Sequence, residues 1–114
     1  METKEFGNYV EQSLKDIPEK FKKLLENITI EVEPEQLSYT KDHYLILGLY
    51  KGVPLPRRGR GYQNVMPDKI VIYKKAFDRY PPNKLPEIIK SVLLHEIGHY
   101  FGMSEKELEK YKKI

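Results

Sequence analysis

The stretch Leu85-Pro86-Glu87-Ile88-Ile89-Lys90-Ser91-Val92-Leu93-Leu94-His95-Glu96-Ile97-Gly98-His99-Tyr100-Phe101-Gly102 decides how this chain is read. Ile88, Ile89, Val92, Leu93, Ile97 and Tyr100 recur at steps of three and four. That spacing predicts a long helix whose apolar face is wide enough to make it the central buried element. Pro86 suits its first turn, and Gly102 suits a left-handed cap at its end. Within the helix lies His95-Glu96-Ile97-Gly98-His99, an H-E-x-x-H sequence. At roughly 3.6 residues per turn, His95 and His99 stack one turn apart on one face, and Glu96 sits about 100° round the helix from His95. Two imidazoles and one carboxylate therefore converge.

That combination has a specific chemical use. Zinc takes neutral imidazole ligands and keeps a position open for water, while hydrolysis needs a nearby carboxylate to accept a proton from that water. Two histidines one turn apart can instead be satisfied polar groups at the edge of a core. The interposed Glu96 argues against that, because three titratable groups on an otherwise apolar helix are costly to bury without a metal or hydrogen-bond partners. The pattern extends to His95-Glu96-x-x-His99-x-x-Gly102-x-x-Glu105, where a glycine lets the chain reverse and bring position 105 back towards the histidines. Glu105 is thus the candidate third ligand. Following Ser104, its acidic side chain also suits the first turn of a short final helix, so the two roles coexist. Glu107, Glu109 and His43 are the alternatives for the third position.

Outward from this helix, the remaining segments supply a small α+β domain. Phe6, Tyr9, Val10, Ser13, Leu14 and Ile17 form the stripe of an amphipathic helix with Thr3 as N-cap, and a break at Asp16 to Pro18 restarts a short helix carrying Phe21, Leu24 and Leu25. Ile28 to Glu33 alternates apolar and polar residues, which predicts a strand with Ile28, Ile30 and Val32 inward. Tyr44 to Tyr50 is apolar on both faces and predicts a central strand, with Lys51-Gly52 turning the chain, and Lys69 to Lys74 predicts a third strand. Between them, residues 54–67 hold three prolines, two glycines and Arg57, Arg58 and Arg60 without any periodicity. This is a long loop and a candidate wall of a binding cleft. The expectation is one domain spanning 1–114, with N-terminal helices, a roughly three-stranded sheet, a long site-bearing helix and a short C-terminal helix.

Composition narrows the function classes. The chain has 114 residues and no cysteine, which excludes disulfides, thiolate metal sites and cysteine nucleophiles. Its three histidines mean that a metal site must spend two of them or rely on carboxylates. Twenty basic and 17 acidic side chains leave a net charge of +3, too small and too mixed to imply nucleic acid. Arg57-Arg58-Gly59-Arg60-Gly61-Tyr62 has the basic and aromatic composition of a single-strand contact, but one such cluster amid mixed charge argues against nucleic acid as a partner. No apolar run approaches a membrane span, and Met1-Glu2-Thr3-Lys4-Glu5 lacks the character of a signal peptide. A cytoplasmic protein is the expectation.

The chain resembles the minimal zincins, short bacterial proteins classed as possible zinc metallopeptidases. The blocks that carry the resemblance are the amino-terminal helix ending near Ile17-Pro18, the strand Ile28 to Glu33, Leu47-Gly48-Leu49-Tyr50-Lys51-Gly52-Val53-Pro54-Leu55, Met66-Pro67-Asp68-Lys69-Ile70 and His95 to Glu105. The resemblance implies a small zincin-like fold, zinc held by His95 and His99, and Glu96 as general base. The family carries aspartate where this chain has Glu105, and both side chains present a carboxylate.

The function expected is zinc-dependent peptide hydrolysis acting on a peptide or protein substrate, with a catalytically silent metal- or peptide-binding module as the alternative. Arg57, Arg58 and Tyr62 are candidate donors to the substrate, and the edge of the strand Lys69 to Lys74 is the expected place for an extended peptide to pair.

Overall fold

The computed structural model describes residues 1–52, 68–104 and 106. Helix α1 (Thr3–Lys15) and helix α2 (Glu19–Leu25) lead into strand β1 (Thr29–Glu33), strand β2 (Gly48–Lys51), strand β3 (Lys69–Tyr73) and helix α3 (Leu85–Tyr100), with 3-10 turns at Lys74–Phe77 and Pro82–Lys84 before α3. Among the described residues the sheet has three strands in the order β1-β3-β2, with β1 parallel and β2 antiparallel to β3. The α+β architecture expected from the sequence is therefore present, and the parts predicted to lie beyond Lys106 fall outside the described residues.

Strand β3 reads Lys-Ile-Val-Ile-Tyr and is the central strand, which is why its apolar residues run without alternation. Ile70 and Ile72 join Ile89, Leu93 and Ile97 of α3 in the main core, and all five are fully buried. Val71 and Tyr73 face the other way and pack with Leu45, Leu47 and Leu49. This arrangement corrects the expected place of peptide pairing. Both edges of β3 are occupied by β1 and β2, so Lys69 to Tyr73 offers no open edge.

The strand expected from Tyr44 to Tyr50 is shorter than its apolar run, and among the described residues it lies at the edge of the sheet, not at its centre, because β3 takes the middle place between β1 and β2. Tyr39 and Leu45 form an antiparallel bridge, the Ile46 N–H donates to the Ser38 carbonyl at 2.9 Å, and His43 adopts φ 68° at the turn. The first half of the run is thus one arm of a small hairpin, and Tyr44 stands 72% exposed. Bonding to β3 begins at the Leu47 carbonyl, which accepts the Tyr73 N–H, and continues through β2 from Gly48. On β1, Ile28 is buried just before the strand starts, whereas Ile30 and Val32 are half-buried because β1 is an edge strand.

Helix α1 buries Phe6, Val10 and Ser13 against α3, as its stripe predicts. Thr3 is the first helical residue and Glu2 occupies the N-cap position, so the predicted cap is displaced by one residue. The Ser13 hydroxyl lies 2.8 Å from the Tyr9 carbonyl and 2.9 Å from the Pro86 carbonyl, where its single proton ties α1 to the first turn of α3. Helix α3 ends as its sequence predicts. Gly102 has φ 74°, its N–H donates to the His99 carbonyl, and the Met103 N–H donates to the Gly98 carbonyl, both at 2.9 Å. These are the paired bonds of a Schellman cap, which reverses the chain directly after the His95–His99 turn. Among the described residues, no helix is long and apolar enough to cross a membrane.

Candidate metal centre

The central feature of the site is that helix α3 packs against β2, which among the described residues is an edge strand. A glycine permits the approach: a Cβ on Gly48 would stand 2.5 Å from Val92 Cγ1, closer than side-chain atoms pack. On α3, His95 and His99 are half-buried and Glu96 is 6% exposed. The imidazole rings are 4.7 Å apart between centroids at 78°. One ligand atom from each of His95, Glu96 and His99 lies within 4.8 Å of the others, the spacing at which three donors can share an ion. Two imidazoles and a carboxylate match the nitrogen and oxygen donors that zinc takes.

Glu96 has a partner that its own helix could not provide. Because the Tyr73 N–H donates to the Leu47 carbonyl, the alternation of an antiparallel ladder turns the backbone groups of Gly48 and Tyr50 away from β3. The outward Tyr50 N–H then donates to Glu96 Oε1 at 2.7 Å. A buried carboxylate is thereby stabilised by a charge-assisted bond from a sheet edge. The Tyr50 side chain continues the contact inward, its hydroxyl donating to Asp68 Oδ1 at 2.9 Å. Beside this cluster, Thr40, Leu45, Leu47, Ser91 and Val92 line an open cleft of about 350 Å³, part apolar and part polar, that His95 and Glu96 border.

The sequence-predicted residues divide into three groups. His95, Glu96 and His99 come together. His43, weighed as a third ligand, is exposed at the hairpin turn and lies outside the group of converging donors. Glu105, Glu107, Glu109, Arg57, Arg58 and Tyr62 lie outside the described residues. Reasoning from motifs missed the roles of Gly48, Tyr50 and Asp68. Their signal was present in Gly48-Leu49-Tyr50-Lys51-Gly52 and in Asp68 before the third strand, but a role for them requires knowing that β2 crosses α3.

A family model described as zincin-like metallopeptidase matches residues 25–113. The chain belongs to this family. Among curated proteins, none matches it. As a zincin, the chain is expected to use a metal, usually zinc, and the His95, Glu96 and His99 group supplies donors that could hold one. The match spans β1 to beyond α3 and so includes every element that builds the site.

Proposed function

We propose that this zincin hydrolyses peptide bonds, with His95 and His99 as zinc ligands, Glu105 as the third ligand and Glu96 as general base. The observation that carries this reading is the convergence of His95, Glu96 and His99, with Glu96 held by the Tyr50 N–H rather than turned into solvent. When bound, zinc supplies a Lewis acid and a water of lowered pKa. Glu96 accepts the proton of the attacking water and returns it to the leaving amine. An extended peptide pairs with the outward backbone groups of Gly48 on β2, an edge strand among the described residues, and sets an apolar side chain in the cleft beside Leu45, Leu47 and Val92. Arg57, Arg58 and Tyr62 are the candidate donors to the developing oxyanion.

The test combines zinc stoichiometry with a peptide library. The purified chain is expected to bind one zinc ion and to cleave library members, and Glu96→Gln is expected to retain the zinc while slowing cleavage by about 10²- to 10⁴-fold. Absence of stoichiometric zinc, or a Glu96→Gln protein that cleaves at the parental rate, would overturn the mechanism. Zinc binding without cleavage of any peptide would instead identify a silent binding module.

A further inference from the structure

Tyr50 faces two carboxylates at once, one with its backbone and one with its side chain. Its N–H donates to Glu96 at 2.7 Å and its hydroxyl donates to Asp68 at 2.9 Å. Asp68 is only 3% exposed, a position that a carboxylate tolerates only with hydrogen bonds. It is also well placed to act as a fixed point. It directly precedes the central strand β3, and its carbonyl accepts the N–H of Thr29 on β1 at 3.1 Å. The Tyr50 ring packs edge-on against Tyr100, one residue beyond His99, with centroids 5.7 Å apart at 79°.

Gly52 supplies an independent observation of the same unit. A Cβ there would run into Asp68 Oδ1 and stand 2.5 Å from the Tyr50 hydroxyl, so glycine is what allows the two groups to meet beneath the chain. Strand β2 has four residues and, among the described residues, is paired along one side only. Such a strand is weakly located by its ladder, and a side chain bonded to the central strand's own start locates it more tightly.

We propose that Tyr50 and Asp68 are a positioning pair: the Asp68 carboxylate fixes the Tyr50 side chain, and through it the β2 N–H that holds Glu96 ready for proton transfer. The proposal rests on the reading of Glu96 as general base. Neither Tyr50 nor Asp68 is assigned any contact with substrate. Their effect passes through the backbone of β2, and a catalytic group displaced by about 1 Å loses roughly 10²-fold in rate.

The experiment has one arm that needs no activity. In the metal-free chain, amide exchange by NMR should show the Tyr50 N–H strongly protected. Tyr50→Phe and Asp68→Asn should each raise its exchange roughly tenfold, the scale of one lost buried hydrogen bond. Gly52→Ala, which forces the two groups apart from outside the pair, should do the same. Ser13→Ala, which removes a buried hydroxyl from the α1–α3 contact, is the comparator for simple loss of stability and should leave the Tyr50 amide unmoved. In the zinc-loaded protein acting on a cleaved library peptide, Tyr50→Phe should lower kcat about 10- to 100-fold with KM and zinc stoichiometry unchanged. Unchanged Tyr50 protection in both Tyr50→Phe and Asp68→Asn, or a rise in KM with kcat preserved, would overturn the proposal. An inactive parent chain would defeat the general-base reading, while the amide arm would still decide whether the pair holds Glu96.

Discussion

The backbone N–H of Tyr50 and the Glu96 carboxylate, 46 residues apart in sequence, meet at 2.7 Å across the contact between β2 and α3. This bond makes a strand edge part of the site. It occupies one of the two outward N–H groups on β2, those of Gly48 and Tyr50, which face away from β3. It also accounts for a carboxylate that is buried on a helix otherwise packed with apolar side chains.

The donor group on α3 makes metal affinity measurable as stability. Zinc binding to the folded chain alone should raise its stability by about 2.7 kcal/mol at a hundredfold excess over Kd. Thermal unfolding with zinc and with a chelator is the measurement. The upward shift expected for the parent should vanish in His95→Ala and in His99→Ala. Persistence of the full shift in both variants would place the ion elsewhere.

Gly48→Ala should destabilise the fold by about 1–3 kcal/mol, the range for overpacking a tight contact. The neighbour it meets is Val92 Cγ1 at 2.5 Å, and a valine on a helix has little freedom to turn aside. Adding Val92→Ala should recover part of the loss. Denaturant unfolding of the two single variants and the double variant measures this coupling. Purely additive losses would show that β2 and α3 do not meet there.

Gly102→Ala should cost about 1–2 kcal/mol, because its φ of 74° lies where a Cβ crowds the following carbonyl. Gly102→Asn should cost less, since asparagine tolerates the left-handed region. The cap reverses the chain directly after His99, so zinc affinity should weaken alongside stability in Gly102→Ala. Equal stability of the alanine and glycine proteins would contradict the left-handed cap.

Glu33 carries a pH-linked stabilising role at the end of β1. The N–H groups of Gln36 and Glu35 donate to its Oε2 at 3.0 and 2.7 Å and hold its carboxyl below the usual glutamate range. A carboxyl with a depressed folded-state pKa stabilises the fold above its unfolded value and loses that contribution as pH falls through the folded value. Amide exchange at Glu35 and Gln36 should therefore quicken on acidification below the ordinary carboxylate range. Glu33→Gln should remove that pH dependence. Both bonds lie within residues 33–36 at the end of an edge strand, so the effect is local rather than global.

Helix α3 and its two histidines were legible in the sequence because everything that defines them is local. The steps of three and four residues specify the buried face, the i, i+4 spacing brings His95 above His99, and Gly102 sets the reversal. Strand β3 and helix α1 were legible for the same reason. The hairpin at Ser38 to Ile46 was not, since an apolar run in a hairpin arm and one in a central strand look alike until their partners are known.

What the sequence alone determined is the set of donors on one helical turn and the class of fold that buries that helix. Tertiary structure decided the rest: that β3 is central and so has no open edge, that β2 lies against α3 through Gly48, and that Tyr50 presents its N–H to Glu96. Strand order and strand-to-helix contact join residues far apart in the chain. No local period records them, because they are set by which surfaces the whole core must bury together.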